Sequence, residues 1–221
     1  MPDMLDDPVR LTNLGLLRRD PFVVRDNSRN TDVELTIQEV NYFKKAGGAT
    51  IVELTPIGMY RNPRALLQIA EATGLNIIMG SGWYIAPTHP SYIENATVEE
   101  LTEKLIREIN SGVDDTGIKP GIIGEIGTSG PVTENEKTTL RAALRAHKET
   151  GLAVNIHFSS RDGGVGVKPI MKLIRDESVN PARVVFSHMD IMISPSNYLA
   201  AADEGFLIEF DTFGPEQYFM L

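Results

Sequence analysis

The sequence predicts an α/β fold built on a parallel sheet, either doubly wound or arranged as a (β/α)8 barrel. Three observations carry this expectation. After about residue 30, short apolar runs alternate strictly with amphipathic helical segments. The runs are continuously apolar rather than alternating, as strands covered on both faces require. No Gly-rich phosphate loop follows the first strand, which argues against the dinucleotide-binding form of the doubly wound sheet.

Taken in order, the elements are as follows. Thr31 to Glu34 reads as a capping box opening a helix that reaches Gly47 and Gly48. A β-branched run from Thr50 to Leu54 is the first strand. Asn62 and Pro63 form an N-cap and first helical residue, and Gly74 ends that helix. Asn76 to Met79 is the second strand. Thr97 to Glu100 is a second capping box, after which Val98, Leu101, Leu105, Ile106 and Ile109 share one helical face. Gly121 to Ile126 is the third strand. Thr133 to Glu136 opens a helix that ends before Gly151. Strands follow at Ala153 to His157, Arg183 to His188 and Phe206 to Asp211, with helices near Pro169 to Arg175 and Asn197 to Asp203 between them.

Composition narrows the function classes. The 221 residues suit one domain, taken as 1–221, and a 42% hydrophobic fraction suffices for a sizeable core. A net charge of -9 argues against a nucleic-acid footprint or an anionic membrane surface. Cysteine is absent, so there is neither a disulfide framework nor a thiolate metal site, which fits a cytoplasmic location. The N-terminus lacks a secretory pattern, and no apolar run approaches the length of a membrane span.

Three polar residues occupy equivalent places near the C-terminal ends of successive strands: Glu125, His157 and His188. Each step is close to one β/α unit. Adjacent strands lie about 4.8 Å apart, so the three side chains can converge. Two imidazoles and a carboxylate form a normal donor set for a catalytic divalent metal with a position open for water. Trp83 and Tyr84 follow the second strand, where they suit a substrate-pocket wall. Arg61 is a candidate anion contact, and Asp211 at the end of the last strand a candidate substrate contact or cap. Asp190 is placed to support His188 from behind. His89 reads as a solvent-facing residue or loop anchor, and His147 as an exposed helical residue.

At these residues the chain resembles the phosphotriesterase-like family of the amidohydrolase superfamily. The most specific stretches are GIIGEIGTSG, LAVNIH and FSHMD, with PIGMYRNP, MGSGWY and FLIEFDTFG in support. The resemblance implies a (β/α)8 TIM barrel of the metal-dependent hydrolase type, with about six of eight strands in this chain. It implies hydrolysis of a lactone, carboxylic ester or phosphotriester by a metal-activated hydroxide. Glu125 matches the bridging ligand, a position that carries a carbamylated lysine in many relatives, and His157 and His188 match the two histidines on one metal. The cofactor implied is a divalent metal, zinc in many relatives, two per complete protein. The family's His-x-His pair on its first strand and the aspartate on its eighth have no counterpart here. The chain is therefore expected to be a fragment, incomplete at both ends, that holds at most one metal.

The expected partner is a small-molecule ester or lactone, with no nucleic acid and no membrane; a homo-oligomer is left open. Two competing expectations remain. One is a catalytically inactive barrel fragment with only a binding or assembly role. The other is a different metal-dependent barrel enzyme, a lyase or isomerase, which the Glu/His/His set alone does not exclude.

Overall fold

The alternating runs fold as their pattern requires. The computed structural model describes residues 4–29, 31–159, 164–191 and 195–212. Two helices, α1 (Leu14–Leu17) and α2 (Val33–Lys45), precede the sheet. The chain then alternates through β1 (Thr50–Glu53), α3 (Pro63–Thr73), β2 (Asn76–Ser81), α4 (Val98–Ser111) and β3 (Ile122–Thr128). It continues with α5 (Glu134–Thr150), β4 (Val154–Phe158), α6 (Val167–Asp176), β5 (Val184–Phe186), α7 (Pro195–Asp203) and β6 (Leu207–Ile208). Among the described residues the six strands form one parallel sheet in the order β1-β2-β3-β4-β5-β6. A doubly wound sheet reverses its strand order at a switch point. This one does not, so the sheet is that of an incompletely closed (β/α)8 barrel, with a helix in every crossover. No helix of the described residues is long and apolar enough to cross a membrane.

Local signals place the helix ends well. Thr97 and Thr133 each accept from the backbone three residues on, and Glu100 and Glu136 reach back to the cap, completing both capping boxes. Asn62 Oδ1 accepts from Ala65 N at 3.1 Å, capping α3. The first box differs by one residue. Asp32, not Thr31, caps α2, accepting from Leu35 N at 2.9 Å. Leu35 then stands where the reciprocal carboxylate would be, so only half of the box forms.

Strand ends move for a tertiary reason. β5 stops at Phe186 because His188 has φ 60°, outside the β region. Arg183 belongs to a short 3-10 turn, Pro181–Arg183, instead of the strand.

The described residues divide into two compact units. One is drawn from Met1–Ala49, Gln68–Leu75 and Thr212–Leu221, the other from Thr50–Leu67 and Asn76–Asp211. The first buries Leu17, Val24, Ile69 and Leu75. Within it, Asn13 accepts from Arg10 N at 2.8 Å and donates to Pro8 O at 3.0 Å, while Lys44 Nζ donates to Thr73 O at 2.6 Å.

The second unit holds the whole sheet and its main core. Leu101 and Leu105 of α4, Leu140 and Leu144 of α5, and Ile170 and Ile174 of α6 pack with Ile123, Ile126, Val154, Ile156 and Phe186. Phe158 meets Phe186 edge-on at 4.7 Å, and Phe186 stacks on Phe206 at 4.4 Å. The expectation of an exposed His147 is corrected here. It is 9% exposed, and its Nδ1 donates to Leu152 O at 2.7 Å just past the helix end. Residue 147 follows Leu140, Ala143 and Leu144 at helical spacing, which places it on the core face.

Candidate metal centre

Glu125 is aimed by a break in strand regularity. Ile123 pairs with Val154 and Ile126 with Ile156, so Gly124 and Glu125 together face the single residue Asn155. Such a bulge redirects a side chain that a regular pleat would point elsewhere. Gly124 is needed there: its φ is +135°, and a Cβ would lie 2.6 Å from Asn155 O. The backbone of Glu125 leaves its own ladder and donates to Leu54 O at 3.1 Å.

His157 reaches the same point from β4, with Nδ1 3.3 Å from Glu125 Oε1. His188 follows the end of β5. Its Nε2 lies 2.9 Å from the same oxygen, and its Nδ1 lies 2.9 Å from Asp211 Oδ1. Its backbone N–H donates to that Asp211 oxygen as well, at 3.2 Å. Left-handed backbone at a histidine is uncommon, and here it is held by contacts on both the main chain and the ring. The two imidazoles meet at 4.8 Å, edge to face.

One donor atom from each of Glu125, His157 and His188 lies within 4.8 Å of the others. A divalent ion bonds such donors at about 2.0–2.2 Å, which places tetrahedral donors about 3.4 Å apart. Glu125 lies 2.9 Å from His188 and 3.3 Å from His157, and all three donor atoms lie within 4.8 Å of one another, so the residues are grouped closely enough to hold a metal. Asp211 would fix the ring orientation of His188 from behind, as carboxylates do behind metal-binding histidines.

The charges reinforce one another. Burial pushes the Glu125 carboxyl up, but hydrogen bonds and charge from His157 and His188 outweigh it and hold the group down at about 2. Burial lowers His188, yet Glu125 and Asp211 carry it up to about 9. A proton and a metal therefore compete for the same His188 nitrogen. Tyr84 puts its hydroxyl 3.1 Å from His157 Nε2 and 3.3 Å from Nδ1. Burial, then the Glu125 charge, raises its pKa, so the phenol stays protonated.

Tyr84 is carried by a braced loop. Its carbonyl accepts from His89 Nε2 at 2.7 Å, which places His89 as a loop anchor. Glu136 is fully buried and collects four hydrogen bonds from three segments: from Ala86 N at 3.0 Å, Ser129 Oγ at 2.7 Å, Ser129 N at 3.2 Å and Thr133 N at 2.9 Å.

Trp83 and Arg61 are not brought to this cluster. Trp83 is fully buried in the core, its Nε1 donating to Tyr92 Oη at 2.9 Å. The Arg61 guanidinium, 5% exposed, donates to Glu108 at 2.9 Å, to Ser81 Oγ at 3.1 Å and to both oxygens of Asp114 at 3.0 Å. Asp190 lies in the one-turn helix Met189–Ile191. Asn155, Ser187 and Glu209 carried no expectation from the sequence, and Glu136 carried only that of a helix-capping carboxylate. The first three are polar residues inside apolar strand runs, and that interruption is the signal that marks them.

The model described as "Phosphotriesterase family" matches residues 5–220. The N-acetyltaurine hydrolase of Xenopus tropicalis is 38% identical over 213 residues, covering 96% of this chain and 60% of that protein. A resiniferatoxin-binding protein from Rhodobacter sphaeroides superposes with a TM-score of 0.91 at 31% identity, over 98% of this chain and 62% of that one. The Escherichia coli phosphotriesterase homology protein, solved with phosphate in its active site, gives 0.82 at 31% identity, over 86% and 65%. The chain thus spans about 60% of the length of the curated relatives it matches.

Proposed function

Given that this chain belongs to the phosphotriesterase family, we propose that the protein is a metal-dependent hydrolase of ester-type bonds, acting on a lactone, carboxylic ester or phosphotriester. The observation that carries the reading is the convergence of Glu125, His157 and His188 at the C-terminal edge of adjacent parallel strands. That edge is where barrel enzymes of this kind build their sites. Glu125, His157 and His188 would hold a divalent ion. When bound, the ion acidifies a water toward neutrality and polarises the scissile group.

The chain's own residues then have distinct tasks. Glu125 stays ionised and supplies the negative charge that both histidines face. Asp211 holds the His188 ring so that Nε2 points at Glu125. Tyr84, protonated and braced by His89, presents a hydroxyl beside His157 that can donate to a substrate oxygen. We assign zinc as the ion and two ions to the complete protein, both of which Glu125 would help to hold. A cytoplasmic location belongs to the same reading, supported by the absence of cysteine.

Amide hydrolysis is a second reading, favoured by the N-acetyltaurine hydrolases among the relatives at 36–38% identity. An ester and an N-acyl amide share the acyl carbonyl that the same donor set would polarise. The deciding experiment is metal analysis with a substrate panel: a carboxylic ester, a lactone, a phosphotriester and an N-acetyl amide. Metal-dependent turnover of any of the first three supports the main reading. At least about tenfold higher kcat/KM on the amide, or 1.4 kcal/mol in the barrier, selects the second. Metal-loaded protein that leaves all four untouched rejects both.

A further inference from the structure

A second polar layer lies against the ligands, and the metal chemistry does not use it. Phe186 pairs with Ile156 on one side and with Ile208 on the other. The next step along each strand is His157, Ser187 and Glu209, so these three share one level of the sheet. Ser187 Oγ lies 2.5 Å from Glu209 Oε2, and Asn155 Nδ2 donates to the same oxygen at 3.2 Å. Ser187 Oγ also lies 3.1 Å from Asn155 Oδ1. Asn155 is 3% exposed and Ser187 1%.

Resting on the metal-centre reading above, we propose that Glu209 is a positioning residue for the metal ligands, acting through Ser187 and Asn155. Glu209 and Asn155 stand two strands apart, about 10 Å across the ladder. Their side chains meet over β5, where the middle residue is Ser187, small enough to pass beneath them and polar enough to join them. The carboxylate therefore braces β4 to β6 across β5. His157 lies two residues beyond Asn155 on one braced strand. His188 directly follows Ser187 on the middle one.

The main chain repeats the arrangement. Glu209 N donates to Phe186 O at 2.9 Å, and Glu209 O accepts from Met189 N at 3.1 Å, so Glu209 brackets His188 from both sides. Ser187 N donates to Ile156 O at 3.0 Å, closing the β4 side. Glu209 thus fixes the distance and angle at which the two histidines meet Glu125, without being one of the three donors itself.

The test is equilibrium binding of Co2+ and Zn2+ to the 221-residue chain and its variants, with the visible spectrum of the Co2+ form reporting ligand geometry. Glu209→Leu is expected to weaken binding about 10–100-fold, the range typical of residues that orient metal ligands, and to shift the Co2+ bands. Glu209→Gln keeps an acceptor for Ser187 and is expected to restore affinity to within about threefold. Ser187→Ala removes one hydroxyl with little change of shape and keeps the test sharp if Glu209→Leu does not fold. It is expected to lose about tenfold. Folded variants that bind with the parent's affinity and spectrum, even with altered metal-free unfolding, overturn the inference alone. A parent chain that binds neither ion overturns the metal-centre reading along with it.

Discussion

At the scale of single residues, the site turns on one carboxylate. Glu125 Oε1 faces both His157 and His188, so its charge is the common element of the cluster. Glu125→Gln keeps the shape and removes the charge. Calorimetric titration is expected to show metal affinity at least about 100-fold below the parent, beyond the usual effect of a residue that only orients a ligand. Asp211→Asn acts one step further out. It leaves the donor set intact but loosens His188, with an expected loss of about 10–100-fold in the same titration. Tyr84→Phe separates binding from turnover. Metal affinity is expected to hold while kcat/KM falls about tenfold, the worth of one hydrogen bond of about 1.4 kcal/mol made to substrate.

At the scale of elements, the ligands are only as well placed as the loops and strands that carry them. Glu136 ties the loop after β2, the loop after β3 and the start of α5 to one carboxylate. Burial pushes that carboxyl up, but the hydrogen bonds from Ala86, Thr133 and Ser129 outweigh it and hold its pKa below the ordinary value of 4.5. A carboxyl depressed on folding contributes stability that is present above its unfolded pKa and lost as pH falls through its folded pKa. The parent is therefore expected to lose stability as pH drops below about 4.5. Glu136→Ala is expected to lose about 2–4 kcal/mol already at pH 7, with a shallower acid limb, in urea denaturation at pH 7 and pH 4. Gly127 makes a complementary case. A Cβ there would lie 2.2 Å from the backbone of Tyr84 and Ile85, so Gly127→Ala is expected to push the Tyr84 loop away at a cost of about 1–3 kcal/mol.

At the scale of the molecule, the ligands come from β3, the end of β4 and the turn after β5, so a bound ion links three neighbouring strands of the second unit. Binding confined to the folded state stabilises it by about 2.7 kcal/mol at an ion concentration 100 times the Kd. Thermal unfolding is therefore expected to move upward on adding Zn2+ and to return on adding a chelator. A Tm indifferent to both would contradict folding-coupled metal binding.

What the residues determined by themselves is whatever depends on near neighbours. The capping boxes at Thr97 and Thr133, the Asn62–Pro63 start of α3 and the continuous apolar strands were legible because caps and burial patterns act over three or four residues. The convergence of Glu125, His157 and His188 was legible because equal spacing on successive β/α units places equivalent strand ends side by side. Contacts between distant segments were decided by tertiary structure alone. The Gly124–Glu125 bulge exists only against Asn155. The left-handed turn at His188 is held by Asp211, 23 residues away. Arg61 reads as an anion contact until Glu108 and Asp114, 47 and 53 residues on, occupy its guanidinium. His147 reads as a surface residue until the helix face it occupies meets the core. In each case the partner that decides the role is remote in sequence, and only the folded chain brings it within hydrogen-bonding distance.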